Sequence, residues 1–452
     1  MKKLAAAVVL GLPLSFSPPA NQKSVAAAKS DPARAISVDQ EMGKSFRIEA
    51  DKLPAPYATR AVSNGPLAIP FAARAPNVPK GFTATLFARL DHPRRMLVLP
   101  NGDIVVAEQK PGHLTLLRPG ADNKAEFIER HAERFNQPYG LAWREGHILV
   151  ADQDGIWQVP HTLGNMRAGH GEDRVAADTS PAKRKPSLNF NGQRLITGKG
   201  VFGIVRGHAN RPLAIDPKSG ALFVGVGSSG NIGIEPEVKA TIQRFDRDGG
   251  NQSTFVAGVR NTCGLAVNPE TGDLWAVVQE RDGLGDDLVP DFLIRAENGS
   301  FYGWPYAYTG QHPQPGFAAK NPEKVQASKI PDLLFQAHSS ALDIVFYTGA
   351  QFPSDYRGDA FVALKGSWNR AEPTGYKVVR VRFRDGRPQG GYEDFMTGFW
   401  VAGRERAQVW GRPAALAVMY DGALLVADDT SGTIWRVAYG GPKEDEGAPP
   451  TR

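Results

Sequence analysis

The 452-residue chain contains a single cysteine, Cys263, so it can form no internal disulfide bond. It has no Cys-x-x-Cys-His motif, and therefore no attachment site for a c-type haem. The formal net charge is +6, yet lysines and arginines nowhere form a block of the kind that binds nucleic acid. Beyond the N-terminus no apolar run is long enough to span a membrane, so we expect neither a nucleic-acid partner nor a membrane span.

Residues 1–28 have the features of a secretory signal peptide. Two lysines precede an apolar segment from Leu4 to Phe16, and small residues and prolines follow it. The sequence therefore predicts a periplasmic or secreted protein. We expect residues 29–80, rich in alanine, proline and serine, to form an extended leader, and residues 441–452 to form a disordered tail.

The chain is rich in short apolar runs separated by turns that contain glycine. A two-strand unit of this kind recurs six times, as in MLVLPNGDIVVAEQ (96–109) and LAVMYDGALLVADD (416–429). Further strand pairs lie between the copies and give about four strands per unit, which is typical of propeller blades. We therefore predict an all-β fold, a six-bladed β-propeller with four-stranded antiparallel blades around a central channel, formed by residues 81–440. We expect the spare strand at 81–90 to pair with the last blade and close the ring, and a short helix within 322–334.

Polar and charged residues collect at one end of these units. Those before the first strands include Arg94, Asn136, Gln137, His208, Arg260, Asn261, His338 and Arg412, and those after the second strands include Glu108, Asp152, Asp282, Lys365 and Asp428. In an antiparallel hairpin, the start of the first strand and the end of the second lie at the same edge. If the first strand of each blade is innermost, these groups surround one mouth of the channel, where a binding site is the default expectation.

Two interpretations of this pattern stay open. A lone histidine before a strand more often makes a loop hydrogen bond than it takes part in chemistry. The coincidence of imidazole, guanidinium and ammonium groups at matching points of different units favours a functional mouth.

Two kinds of ligand would suit such a mouth. Arg260, Lys365 and Arg412 could pair with several carboxylates of one planar acidic ligand. The acidic turn 279–287 offers oxygen atoms of the kind that bind calcium.

From about Gly81 to Tyr439 the chain resembles the soluble quinoprotein sugar dehydrogenases, the family of glucose, aldose and L-sorbosone dehydrogenases that use pyrroloquinoline quinone (PQQ). Several segments carry the resemblance in the same order: GVRNTCGLAVNPETGDLW (258–275), QERDGLGDD (279–287), GSFYGWP (299–305), FVALKGS (361–367) and GRPAALAVMYDGALLVADD (411–429). The likeness is nearer to the sorbosone-type branch than to the glucose enzymes.

The resemblance implies a role for each matching residue. His208 would be the general base. The residues that would bind the cofactor are Arg260, Asn261, Lys365, Arg412 and, near the substrate, Gln137. The backbone carbonyls of Asp282 and Gly283 would bind calcium. Gly207 stands where the glucose enzymes have an aspartate that would orient the histidine.

The activity that the resemblance implies is PQQ-dependent oxidation of a sugar or a related aldehyde or hemiacetal, by hydride transfer to the quinone. Because the chain has no haem motif, electrons would leave to an external acceptor, a quinone or a cytochrome. Two alternatives remain. One is a calcium-dependent propeller hydrolase such as a lactonase, with Glu108, Asn136 or Asp282 as metal ligands. The other is a non-catalytic periplasmic binding propeller.

Overall fold

The computed structural model describes residues 38–168 and 192–441. The predicted signal peptide, the start of the predicted leader and the tail from 442 lie outside the described residues. Within the described part, no helix is both long and apolar enough to cross a bilayer. Its helical elements are one α-helix, Pro322–Gln326, and four 3₁₀ helices, Val38–Gln40, Ala50–Lys52, Ala318–Lys320 and Ser354–Tyr356. The predicted all-β class is confirmed, and the α-helix falls where a short helix was expected.

Six sheets of four or five strands follow one another along the described chain, and we number them in chain order. Sheet 1 contains Pro93–Val98, Ile104–Glu108, His113–Pro119 and Ala125–Glu133. Sheet 2 contains Gly140–Arg144, His147–Ala151, Ile156–Pro160 and Arg194–Leu195. Sheet 3 contains Leu213–Ile215, Leu222–Val226, Thr241–Phe245, Ser253–Ala257 and Ser300–Phe301.

Sheet 4 contains Asn261–Val267, Leu274–Gln279, Pro290–Arg295 and Leu333–Ala337. Sheet 5 contains Ala341–Phe346, Ala360–Leu364, Lys377–Val381, Tyr392–Met396 and Ser45–Phe46. Sheet 6 contains Pro413–Val418, Leu424–Asp428, Thr433–Tyr439 and Phe82–Arg89. The smaller pairings join Leu67–Ala68 with Gln408–Val409 and Trp400–Ala402, Ala307–Tyr308 with His312–Pro313, and Phe383–Arg384 with Arg387–Pro388. The four main strands of each numbered sheet are antiparallel, as predicted, and the short Ser300–Phe301 strand adds to sheet 3 in parallel.

Sheet 6 joins the two ends of the described sheet sequence. Phe82–Arg89 pairs antiparallel with Thr433–Tyr439, in a register that begins with Phe82 opposite Tyr439. The pairing expected for the spare strand at 81–90 is therefore confirmed. It ties the start of the repeating region to its last unit by a full strand of hydrogen bonds.

The turn residues account for the six hairpins between the first and second strands. Their glycines are Gly102, Gly146, Gly220, Gly272, Gly358 and Gly422, and all have φ between +73° and +88°. Residues with a side chain adopt this conformation only at a cost in free energy, whereas glycine does not. The glycine positions in the sequence thus fix where each first strand reverses.

Six of the eight buried hydrophobic clusters in the described part of the chain each lie between two consecutive sheets. The second strand of sheet 1 shows why these strands read as continuous apolar runs. Ile104 and Val106 pack against sheet 6, while Val105 and Ala107 pack against sheet 2. Successive side chains of a strand point to opposite faces, so a strand covered on both faces needs apolar residues at every position.

The first strands of the sheets meet one another. Each contacts the first strand of the preceding and of the following sheet, and Pro413–Val418 of sheet 6 contacts Pro93–Val98 of sheet 1. At the centre of this closed cycle the hydroxyl of Tyr139 donates to the carbonyl of Cys263 at 2.9 Å. Arg95 forms a buried ion pair there with Asp343. The innermost position predicted for the first strands is consistent with these contacts.

Residues 38–80 lie against sheets 4, 5 and 6 and the loops beside them. Ser45–Phe46 extends sheet 5, and the fully buried ammonium of Lys377 lies 3.2 Å from a carboxylate oxygen of Asp39. Further along, the backbone N–H of Asn64 donates to the carbonyl of Trp368 at 3.0 Å. The domain boundaries at 28, 80 and 440 stay predictions.

Candidate active site

The candidate residues lie at the ends of strands along one edge of the sheets. His208 precedes the first strand of sheet 3, and Arg260 precedes the first strand of sheet 4. Asp282 and Lys365 follow the second strands of sheets 4 and 5. The hairpin argument therefore predicts one shared edge for them, and two cavities open there.

The first, which we call the histidine cavity, has a volume of about 230 Å³. Residues that line it include His208, Arg260, Glu280, Asp282, His338 and Trp368. The second, the lysine cavity, has a volume of about 420 Å³. Its lining includes His92, Arg94, Gln109, Lys110, Lys365 and Asp429. The backbone N–H of Lys365 donates to the carbonyl of Ser340, which lines the histidine cavity, at 2.9 Å, so the two cavities are neighbours.

His208 is held in one tautomer by the backbone. Its Nδ1 lies 2.8 Å from the carbonyl oxygen of Ser228. A carbonyl oxygen only accepts hydrogen bonds, so Nδ1 carries the proton and, in the neutral ring, Nε2 keeps an unshared electron pair. The side chain lines the cavity and is therefore a candidate proton acceptor.

The ring is also neutral at physiological pH. Burial, and next the positive charge of Arg260, lower the pKa of His208 to about 4. Both effects disfavour the imidazolium form. Above about pH 5 the imidazole is therefore a base with an available lone pair, and it needs no carboxylate partner to select its tautomer.

Gly207 explains why no aspartate precedes this histidine. Its φ is +79°, and a Cβ built there would lie 2.4 Å from the carbonyl oxygen of Ser229. No side chain fits against that backbone. The position expected to orient the imidazole is thus occupied by the chain segment 228–229, whose Ser228 carbonyl supplies the orienting hydrogen bond instead.

Arg260 is a buried residue that is held in place by hydrogen bonds from three of its five guanidinium N–H groups. Its Nε donates to the carbonyl of Asn231 at 2.9 Å, and its Nη1 donates to the carbonyl of Glu280 at 2.8 Å. Nη2 lies 3.2 Å from the amide oxygen of Asn231 and 3.8 Å from a carboxylate oxygen of Asp282. Arg260 therefore places a fixed positive charge beside His208.

A second histidine, His338, shares the cavity. Its Nε2 donates to the carbonyl of Gly285 at 2.9 Å, and its Nδ1 lies 3.4 Å from a carboxylate oxygen of Asp282. Burial lowers the pKa of His338, but the hydrogen bond and charge of Asp282 outweigh it and the net shift is upward. The sequence predicted that His338 lies at this edge. It did not predict the contact with Asp282, because the two residues belong to different loops.

The acids beneath the cavity have raised pKa values. Burial raises the pKa of Glu280 to about 7 and that of Asp291 to about 6. The carboxylate of Asp282 behaves differently. Burial opposes its ionisation, but His338 and Arg260 outweigh burial and lower its pKa. Perturbed acids and bases gathered in one cleft are a recognised feature of functional sites.

In the lysine cavity two basic side chains share one carboxylate. Arg94 and Lys365 both hydrogen-bond to the same oxygen of Asp429. Burial opposes ionisation of Asp429, but Arg94 and Lys365 hold its pKa well below its usual range. Burial and the charge of Arg94 lower the pKa of Lys365 to about 7. With Lys110 also present, the cavity is suited to an anionic group.

Four of the predicted site residues line neither cavity: Gln137, Asn261, Gly283 and Arg412. Arg412 instead donates to the carbonyls of Lys365 and Gly366 at 3.0 and 2.7 Å. The amide of Asn261 donates to Gln279, a lining residue, at 3.0 Å. Arg412 and Asn261 are therefore placed to support the cavities from behind.

The lining fits the acidic, planar cofactor that the sequence suggests. Guanidinium and ammonium groups at Arg260, Arg94 and Lys365 match carboxylates. Two buried polar atoms in the lysine cavity, Arg94 Nε and Gln109 Nε2, have no hydrogen-bond partner in the described structure. Buried donors without partners are costly, and a bound acceptor would satisfy them.

The hydrogen bonds at the 282–283 turn do not favour a calcium ion there. The Asp282 carbonyl oxygen accepts one hydrogen bond from Asn231 Nδ2 at 2.9 Å and another from Arg281 Nε at 3.0 Å. Both acceptor positions of this oxygen are therefore used, and one donor is itself a cation. Among the described residues there is no group of three or more histidine, cysteine or acidic side chains placed to bind a metal. The Asp282 carbonyl, one of the two oxygen atoms expected to bind calcium, is thus not free in this arrangement.

Glu108, one of the metal ligands proposed in the hydrolase alternative, has structural partners. The carboxylate of Glu108 accepts from the backbone N–H of Asp91 at 2.7 Å and from Thr115. Asp152 and Asp428 likewise accept backbone N–H groups of the loops before their first strands. These acids hold the loops in place, and the hydrogen bonds of Glu108 disfavour it as an open metal ligand.

Comparisons with known proteins place the chain in a family. Residues 76–440 match the family described as TrAA12-like. A protein of Borreliella burgdorferi named only as uncharacterized is 32% identical over 80% of this chain and 90% of its own length. A pyrroloquinoline quinone-dependent pyranose dehydrogenase of Coprinopsis cinerea is 28% identical over 68% of this chain, which spans only 44% of that relative.

A solved structure shows the same fold. The holo form of the pyranose dehydrogenase PQQ domain from Coprinopsis cinerea matches with a TM-score of 0.65 at 20% identity. The match covers 80% of this chain and 97% of that chain. At this identity the likeness concerns the fold, and the roles of individual residues have to be argued from the site.

Proposed function

This chain belongs to the TrAA12-like family of PQQ-dependent sugar dehydrogenase relatives, and from that premise we propose that it is a PQQ-dependent oxidoreductase that oxidises a sugar or a related aldehyde or hemiacetal. We also propose that the six sheets are the blades of a six-bladed propeller around a central channel. The closed cycle of first strands and the six clusters between consecutive sheets support this architecture. The two cavities would then lie at one mouth of the channel.

The observation that carries the proposal is the state of His208. Its Nδ1–H is engaged by the Ser228 carbonyl, its ring is neutral, and it shares a cavity with the fixed charge of Arg260. A hydroxyl group of the substrate placed at Nε2 would give up its proton there. Arg260 would stabilise the negative charge that develops on the substrate oxygen as the proton leaves.

The cofactor would be held by the cations of both cavities. Arg260 and Lys365 would pair with its carboxylates, and Arg412 and Asn261 would keep the surrounding backbone and Gln279 in place. When bound, PQQ supplies the two-electron acceptor for the hydrogen on the substrate carbon. Lys365, with its pKa near 7, can lose or hold a proton at neutral pH beside that acceptor.

The wall of the histidine cavity also suits a sugar. Trp368 lines the cavity and is 47% exposed, so one indole face is open. Aromatic faces pack against apolar C–H surfaces, while Asp282 and Asn369 offer hydrogen-bonding groups to hydroxyls. An aldose or sorbosone-type substrate would meet both kinds of surface. Electrons would then leave to an external acceptor, a quinone or a cytochrome, in the periplasm or outside the cell.

The test is reconstitution of the full chain with PQQ, followed by dye reduction with a panel of aldoses and sorbosone. We expect reduction with at least one of these substrates and a fall of kcat by about 10²–10⁴-fold in His208→Gln. The control is His147→Gln, because His147 begins the second strand of sheet 2 at the turn end, away from both cavities. It should leave kcat unchanged. Lactone hydrolysis without quinone, or no turnover with any sugar, would refute the proposal.

A further inference from the structure

Calcium was expected at the backbone carbonyls of Asp282 and Gly283, and here arginine side chains bind the Asp282 carbonyl and the nearby Glu280 carbonyl. Arg260 Nη1 donates to the Glu280 carbonyl at 2.8 Å. Arg281 Nε donates to the Asp282 carbonyl at 3.0 Å. Both side chains are largely buried, with 6% and 8% of their surface exposed. One positive charge is therefore fixed at the Asp282 carbonyl, an oxygen atom expected to bind calcium, and a second is fixed at the neighbouring Glu280 carbonyl.

Asn231 completes this arrangement from sheet 3. Its amide oxygen accepts from the Asp282 N–H at 2.8 Å and lies 3.2 Å from Arg260 Nη2. Its amide nitrogen donates to the Asp282 carbonyl at 2.9 Å. Its own carbonyl accepts from Arg260 Nε at 2.9 Å and from the indole N–H of Trp304 at 3.3 Å. The turn is thus held on both sides of its backbone without any contribution from a metal.

Most carboxylate oxygen atoms around the turn accept hydrogen bonds as well, whereas Glu280 Oε1 is buried without a partner in the described structure. One carboxylate oxygen of Glu280 accepts from the Arg281 N–H at 2.9 Å. Asp291 accepts from the backbone N–H groups of Glu280 and Ser340. The amide of Asn369 donates to Asp282 at 2.7 Å. A calcium ion would need six to eight oxygen ligands, and gathering them here would break most of this network.

We propose that the guanidinium groups of Arg260 and Arg281 take the place of calcium in this chain, so that the site folds and accepts its cofactor without a divalent cation. Fixed positive charge at the turn is retained, and it comes from the protein. A guanidinium donates directional hydrogen bonds to carbonyl oxygens and stays charged at all accessible pH values. The part of this proposal that concerns cofactor binding rests on the proposed function, whereas the part that concerns the turn does not.

The first arm of the test uses the full chain without quinone, freed of metal with EGTA. Its Tm is measured by calorimetry with EGTA and with 5 mM CaCl₂, and calcium binding is measured by equilibrium dialysis. We expect the two Tm values to agree within about 1 °C and no calcium to bind at the millimolar level, since a ligand that binds only the folded state must raise Tm. A calcium-dependent rise in Tm of several degrees, or one calcium bound per chain, would overturn the proposal.

The second arm compares PQQ binding, followed by quenching of tryptophan fluorescence, in EGTA and in calcium. Equal affinity in both supports the proposal, and binding only in calcium overturns it. If PQQ binds in neither buffer, the proposed function fails, and the first arm still decides whether the turn needs metal. The matched variants are Arg281→Gln, expected to lower Tm in EGTA, and Arg247→Gln, an exposed arginine expected to leave it unchanged. Equal Tm values for both variants would count against a structural role for Arg281.

Discussion

The pH dependence of His208 offers the sharpest test of the site. The Ser228 carbonyl fixes the proton on Nδ1, while burial and Arg260 disfavour a second proton on Nε2. A base of this kind works in its neutral form. Lowering the pH should therefore abolish its action only when the pH falls through its pKa, which is lowered to about 4.

The size of the effect is large at mildly acidic pH. With a pKa of about 4, about 90% of His208 is neutral at pH 5. With the ordinary histidine value of about 6.5, only about 3% would be neutral. At pH 5 the two cases differ by about thirtyfold in the fraction of competent base. We therefore expect that protonation of His208 changes kcat/KM only slightly between pH 7 and pH 5.

Two measurements check this expectation. The acid limb of kcat/KM reports the pKa of the free enzyme's essential base. Because Glu280 and Asp291 also titrate near neutrality, the limb alone does not identify His208. NMR of histidine-labelled protein does, since the chain has 9 histidines and the His208 signal is the one missing in His208→Gln. An apparent pKa near 6.5 for that signal would refute the picture of a desolvated neutral base.

Two further predictions concern the supports of the site and of the fold. Gly207→Ala should lower kcat at least tenfold in initial-rate assays, because its Cβ would displace the backbone at Ser229 and strain of about 1–2 kcal/mol would be added; an unchanged kcat would show that His208 is oriented in another way. Asp39→Ala should reduce the free energy of unfolding by about 2–3 kcal/mol, because it removes a partner from the buried ammonium of Lys377. Denaturant titration measures this, with the exposed Asp51→Ala as the control that should change little.

Much of the fold could be predicted because its determinants are local. The six turn glycines mark the reversals, and apolar residues at successive positions, as in Ile104 to Ala107, mark strands covered on both faces. Even the pairing of 82–89 with the last unit followed from a strand left without a partner in its own unit. Such features need only the period of the sequence and the conformational preferences of its turns.

The site was predicted less completely, because its decisive partners are backbone atoms or come from distant loops. Every residue has a carbonyl group, so nothing in the sequence marks Ser228 as the group that orients His208. Arg412 has the residue type expected of a cofactor ligand, yet its donors reach the carbonyls of Lys365 and Gly366. Residue type and strand position could bring these groups to the right edge, but could not say which of them would face the cavity.

Gly207 shows how the two kinds of determinant meet. In the sequence, this glycine stands where the glucose enzymes have an aspartate that would orient the base. In the structure, Gly207 lets the segment 228–229 pass close enough for the Ser228 carbonyl to orient the imidazole. A Cβ at this position would lie 2.4 Å from the carbonyl oxygen of Ser229. At the 282–283 turn, the Arg281 side chain binds the Asp282 carbonyl, at which calcium was expected. In both places the same interaction is made by a different group: a carbonyl replaces a carboxylate at His208, and a guanidinium replaces a metal ion at Asp282. The residue types of relatives therefore predict least where one of the partners is a backbone atom.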